Sequence, residues 1–207
     1  MKPVRMSRPP ASDAHPVRAS TGVTVRLWVS YFFTLLVVYL LLNWLPSLVK
    51  AAGYSRLQAA HSAIILNVGA VLGSLALGGL TDRAVPRTAL LVTYFGMAAS
   101  LLVLALGNGG LLFAGAFLAG FFVIGGQLLL YAMAPALYPP GVRGTGVGAA
   151  VSVGRLGSIL GPVLAGLWLS YGFKPGTVPL IAIPGLLVAF AAALSLAGRP
   201  ASPASLD

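Results

Sequence analysis

The chain has 207 residues, of which 58% are hydrophobic and 8% charged, and its formal net charge is +10. A soluble domain carries about 25% charged residues, so this composition excludes a water-facing globule and marks an integral membrane protein. Cysteine and glutamate are absent and there are only two histidines, which removes disulfides, thiol nucleophiles and Cys-based metal sites and leaves little material for hydrolysis.

Residues 1–26 are rich in Pro, Ser and Arg and show no apolar period, which predicts a disordered cytoplasmic tail. The apolar run that follows far exceeds a secretory h-region of about 7–15 residues. Lys2, Arg5, Arg8, Arg18 and Arg26 precede that run and follow the positive-inside pattern. No basic stripe interleaved with aromatics exists, so no nucleic-acid partner is expected.

Residues 27–197 hold six apolar segments, predicted as transmembrane helices over 27–49, 59–80, 88–107, 111–137, 146–171 and 178–197. The first would reach about 34 Å as a helix, enough to cross a hydrocarbon core of about 30 Å. Alternating strand patterning is absent, which favours an all-α bundle over a barrel. Residues 198–207 form a short C-terminal tail. Lysines and arginines gather in both tails and in the turns 81–87 and 138–145, against Lys50, Arg56 and Lys174 in the opposite loops. Both termini are therefore expected on the cytoplasmic side.

The first, second, fourth and fifth segments carry Asn43, Asn67, Gln127 and Arg155. Such groups need a protein or water partner, so these helices are expected to line the interior, and the nearly apolar third and sixth to face lipid. Tyr39 and Asn43 share a face of the first helix, and Gln127 and Tyr131 a face of the fourth. Together they fit a polar, aromatic cavity for a small organic acid, or else simple interhelical hydrogen bonding. The glycine pairs Gly69/Gly73, Gly144/Gly148 and Gly157/Gly161 each put two glycines on one face and allow close helix packing. Arg155 is the most costly residue, about 2.5–3.5 kcal/mol unfavourable at a span's centre. It reads either as an anion-attracting group or carboxylate partner in a pathway, or as a structural Arg that caps carbonyls or reaches headgroups. His61 opens the second helix and His15 lies in the tail; no metal site is expected.

The turn from Gly78 to Arg87 contains Asp82, the one acidic residue outside the tails. Asp82, Arg83 and Arg87 there fit a charge-assisted latch on a cytoplasmic gate. Ordinary loop charge with a solvated Asp fits as well.

Gly78-Gly-Leu-Thr-Asp82-Arg83-Ala-Val-Pro-Arg87 resembles the Gly-x-x-x-Asp-Arg-x-x-x-Arg cytoplasmic turn of the major facilitator superfamily. Tyr138-Pro139 through Gly146 resembles the turn into that family's eleventh helix, and Gly154-Arg155-Leu156-Gly157 with Gly161-Pro162 resembles the helix itself. Tyr31-Phe32-Phe33 with Asn43-Trp44-Leu45-Pro46 is similar to the seventh helix of the aromatic acid:proton symporter group. The resemblance implies the second six-helix half of a twelve-helix carrier in the inner (plasma) membrane, with residues 1–26 similar to the central loop. It also implies a first half bearing its own Asp-Arg turn and an acidic cluster for proton coupling, neither of which occurs here.

The expected function is therefore half of a proton-coupled, alternating-access carrier for small organic anions, aromatic acids foremost. It would work in the bilayer with an N-terminal half or a second copy, with no cofactor beyond a proton gradient. A transport-inactive fragment or assembly-only membrane protein is the alternative. An intramembrane serine protease is excluded, because no Gly-x-Ser-Gly motif occurs and no histidine follows His61.

Overall fold

The computed structural model describes residues 21–83 and 86–197, and of residues 81–83 and 86 the backbone alone. The expected tails at 1–20 and 198–207 lie outside the described residues. Among the described residues there is no strand, and six helices are long and apolar enough to cross a membrane. In chain order they are α1 (Thr21–Ala51), α2 (Arg56–Arg83), α3 (Pro86–Leu106), a composite fourth span, α6 (Arg143–Ser170) and α7 (Val178–Leu194). The fourth span is α4 (Gly110–Ala119), a π turn (Gly120–Ile124), α5 (Gly125–Met133) and a closing 3-10 turn (Ala134–Leu137).

Each span starts at or before its expected residue, α6 at Arg143 rather than Gly146 among them, and for two of the starts the structure shows the physical reason. α1 begins at Thr21 rather than Leu27, so residues 21–26, expected in the tail, are helical. Val23 is buried there, and the Tyr138 hydroxyl donates to Thr24 Oγ1 at 3.3 Å. Tertiary contact extends the helix past the point where apolar character fades. α2 begins at Arg56 rather than Ala59 because Ser55 and Gln58 form a capping box. The Gln58 backbone N–H donates to Ser55 Oγ at 3.2 Å and the Ser55 backbone N–H to Gln58 Oε1 at 2.9 Å. Ser55→Ala is expected to cost about 1 kcal/mol, read as a lower thermal midpoint of the purified protein in detergent.

α1 is the most buried span. It packs most extensively on α6, then on α7 and α2, while α2 packs on the fourth span and α3 on α4 and α7. Lipid supplies no hydrophobic drive between helices, so close backbone approach has to supply the contact. Gly157 and Gly161 of α6 lie on the backbone of α1, where a Cβ would run into the Phe32 and Leu36 carbonyls. Gly69 and Gly73 of α2 lie in the same way on Phe117 and Phe121. The third pair, Gly144 and Gly148, faces open space, so the spacing that predicts packing at all three sites is used at two.

The π turn sits where the fourth span meets α2. A Cβ at Gly120 would strike the Leu66 carbonyl, and one at Gly125 the backbone of Gly73 and Ser74. A π turn inserts an extra residue into the helix, which changes the face that the following helix, α5, presents with Gln127 and Tyr131.

On the opposite side of α1 the polar groups are buried and paired. Ser30 Oγ donates to the Ala189 carbonyl at 3.0 Å, and Thr34 Oγ1 and Tyr94 Oη are 3.1 Å apart. These contacts tie α1 to α7 and α3. The exposed Asn and Arg side chains in the body of the spans, Asn43, Asn67 and Arg155, belong instead to α1, α2 and α6. The side of α1 that meets α7 and α3 thus hides Ser30 and Thr34, whereas Arg155 of α6 meets Tyr39 on a side left exposed, the front of the bundle.

Candidate functional site

Arg155 organises the front. It lies twelve residues beyond Arg143, the first residue of α6, which is about 18 Å along the axis and near mid-depth of a core of about 30 Å. That is deeper than a helix starting at Gly146 would place it. Its side chain is exposed, and Nη1 donates to the Tyr39 hydroxyl of α1 at 2.8 Å. The described contact therefore goes to a neutral hydroxyl on the next helix, not to a carbonyl. The chain's acidic residues are Asp13, Asp82 and Asp207, and none falls within the six candidate spans. The guanidinium thus has no counter-ion from its own spans, and it cannot shed its charge.

Asn43 stands one turn beyond Tyr39 and donates Nδ2 to the Tyr39 carbonyl at 2.8 Å. The two share a face, as their spacing predicts, but the bond runs to the backbone and leaves the Tyr39 ring free for Arg155. Gln127 and Tyr131 also meet: Gln127 Nε2 lies 3.5 Å from Tyr131 Oη, long for a hydrogen bond. Both are half-buried on α5. Asn67 stands apart. Its Nδ2 donates to the Ala63 carbonyl of its own helix at 2.8 Å, and it sits in a shallow apolar groove with Ile64, Val68, Val71 and Leu72.

Two features escape a reading by polar residue type. Tyr31 of α1 is fully buried, and its ring lies edge-on to Tyr131 with centroids 5.2 Å apart at 75°. It sits in an apolar run, and in the sequence only the family-like Tyr31-Phe32-Phe33 string marks it. Trp44 Nε1 donates to the Pro162 carbonyl of α6 at 2.9 Å. Pro162 has no N–H and interrupts the α6 hydrogen-bond ladder, and the Trp44 bond ties that point of α6 to α1. A groove of about 330 Å³ between α1, α6 and α7, walled by Leu36, Leu40, Leu164 and Trp168, contains none of the candidate polar residues.

Of the three residues expected to form a gate, Asp82 and Arg83 close α2 with their backbone, and their side chains lie outside the described residues. Arg87 is exposed in the first turn of α3. His61 is exposed near the start of α2, beside Gln58, Ile64 and Phe113. Among the described residues no group of three or more potential ligands for a metal ion occurs.

Residues 25–206 match the model of the Major Facilitator Superfamily. The chain is 47% identical over 199 residues to a 3-(3-hydroxy-phenyl)propionate transporter of Escherichia coli, covering 94% of this chain and 48% of that protein. It is 34% identical to a gallate transporter of Pseudomonas putida, over 94% of this chain and 43% of that one. A benzoate transport protein of Acinetobacter baylyi is 36% identical over 81% of this chain and 37% of its own length. The chain spans about half the length, or less, of these relatives.

Proposed function

The chain belongs to the Major Facilitator Superfamily, and we propose that it forms one six-helix bundle of a proton-coupled carrier for small aromatic acids. The observation that carries this is Arg155: an exposed, permanent cation at mid-span, held by one tyrosine hydroxyl and without a carboxylate in any span. A mid-span cation is tolerated where it faces a cavity or pathway. A carboxylate substrate supplies the anion that the bundle itself does not. Tyr39, Tyr131 and Gln127 add ring faces and hydrogen-bonding groups around it, and Asn43 extends the polar front, while Asn67 would meet the substrate only from its separate groove on α2.

The substrate class follows the relatives, whose names are those of aromatic acid transporters. Alternating access would come from rocking this bundle against a second six-helix bundle, supplied by an N-terminal half or a second copy. The exposed apolar side chains of α2 and α6, among them Val68, Leu75, Ile159 and Val163, flank the polar front and offer a surface for it. Asp82, Arg83 and Arg87 would latch the cytoplasmic side, with both termini on that side of an inner membrane.

Proton coupling needs a group that takes up and releases a proton in the pathway. No span of this bundle contains Asp or Glu, so that group belongs to the second bundle. The chain reconstituted alone in proteoliposomes is therefore expected to bind labelled one-ring aromatic acids saturably but not to accumulate them under an imposed pH gradient. Proton-driven accumulation by the lone chain would overturn this division of labour. Absence of saturable binding would overturn the carrier reading.

A further inference from the structure

Three buried side-chain polar atoms among the described residues have no hydrogen-bond partner: Trp28 Nε1, Tyr31 Oη and Thr93 Oγ1. Tyr31 is the one in ring contact with a residue of the polar front, Tyr131. Its side chain is fully buried, so water does not satisfy it, and leaving such a hydroxyl idle is costly. Gly154 of α6 lies against Tyr31, where a Cβ would come within 3.3 Å of the Tyr31 Cβ. The next residue, Arg155, reaches Tyr39.

One seam between α1 and α6 therefore has two polar ends. Arg155 and Tyr39 form a cationic end. Tyr31 forms a neutral hydroxyl end, with the Tyr131 ring against it and the Gln127 amide beyond. Tyr31 and Tyr39 are eight residues apart on a continuous helix, about 12 Å along its axis. Both side chains lean toward the helix N-terminus, so the axial separation persists, and eight residues also turn the facing direction by about 80°, which widens the gap at their tips. An acid whose ring hydroxyl meets Tyr31 points its carboxylate end along the seam toward the guanidinium that Arg155 brings in from α6.

We propose that Tyr31 is a specificity-determining residue whose hydroxyl receives the ring hydroxyl of a hydroxylated aromatic acid, while the acid's carboxylate rests on Arg155 and Tyr39. The proposal rests on the aromatic-acid reading of the same site. Tyr131, half-buried where Tyr31 is buried, is the cover that tilts to admit the ring. A phenolic hydroxyl both donates and accepts, as does that of Tyr31, so the pair satisfies each other in either direction. An acid without the ring hydroxyl pushes the same apolar edge against an unpaired polar atom. Sites built to bond a hydroxyl reject the analogue that lacks it for this reason.

The test uses the full chain in lipid nanodiscs and equilibrium binding of labelled 3-(3-hydroxyphenyl)propionate and 3-phenylpropionate. The wild type is expected to prefer the hydroxylated acid by at least about tenfold. Tyr31→Phe should remove most of that preference by weakening the hydroxylated acid alone. Because the lost hydroxyl has no partner, the thermal midpoint should not fall. An unchanged ratio, or equal weakening of both acids, overturns the role of Tyr31. If Arg155→Ala weakens both acids while Tyr31→Phe leaves their ratio alone, only Tyr31 is misassigned. If the wild type binds neither acid, the aromatic-acid reading falls and this proposal with it.

Discussion

Arg155→Ala is expected to reduce aromatic-acid binding by roughly 10–100-fold, the loss of a hydrogen-bonded charged group worth about 1.5–3 kcal/mol, without lowering stability. The two parts of this expectation pull against the usual behaviour of a structural residue. An Arg at mid-span costs about 2.5–3.5 kcal/mol to insert, and its described contact is a single bond to Tyr39 Oη. Removing it relieves the insertion cost and leaves behind a half-buried tyrosine hydroxyl that water in an open front can reach. Stability should therefore hold or rise while binding falls.

Arg155→Lys keeps the charge but not the planar fork that grips a carboxylate, so it should recover only part of the affinity. Tyr39→Phe removes the positioning bond and keeps the cation, and its loss should be smaller than that of Arg155→Ala. Equilibrium binding and thermal unfolding on the same three variants separate the cases. Arg155→Ala that unfolds the protein would make Arg155 structural. Arg155→Ala that leaves both properties unchanged would remove it from the pathway.

How far the site could be read in advance depends on what each contact needs. The six spans were legible because crossing a membrane requires only length and apolar character. The helical face shared by Gln127 and Tyr131 was legible because four-residue spacing sets it. The partner of Arg155 was not, since its meeting with Tyr39 depends on how α6 lies across α1, and no spacing within one helix encodes that. The start of α2 was encoded, in Ser55 and Gln58, but a hydropathy window passes over a polar cap. The π turn at Gly120–Ile124 has no such signal, because glycines there serve backbone contact with α2 as well. Tyr31 shows the deepest limit. A tyrosine inside Tyr-Phe-Phe reads as core, and only the missing partner of its hydroxyl sets it apart.

Gly157→Val is expected to cause the larger structural loss, beyond the roughly 1–3 kcal/mol of ordinary overpacking. Overpacking is usually relieved by rotating a side chain, but a Cβ at this position meets the Phe32 carbonyl and the Leu36 backbone nitrogen of α1. Helix backbone does not rotate away, so α6 has to move off α1. That seam is the most extensive contact in the fold, and it holds both the Arg155–Tyr39 and Trp44–Pro162 bonds. With lipid as apolar as the side chains, no hydrophobic term pulls the separated helices back together. The variant should purify poorly as a folded species and melt well below the wild type. Gly148→Val is the control: it lies on the same helix but faces open space, and its midpoint should stay within the small range of surface substitutions, about 0.5 kcal/mol. Equal melting of the two variants would mean that α6 does not approach α1 as closely as Gly157 permits, and the geometry that brings Arg155 to Tyr39 would fail with it.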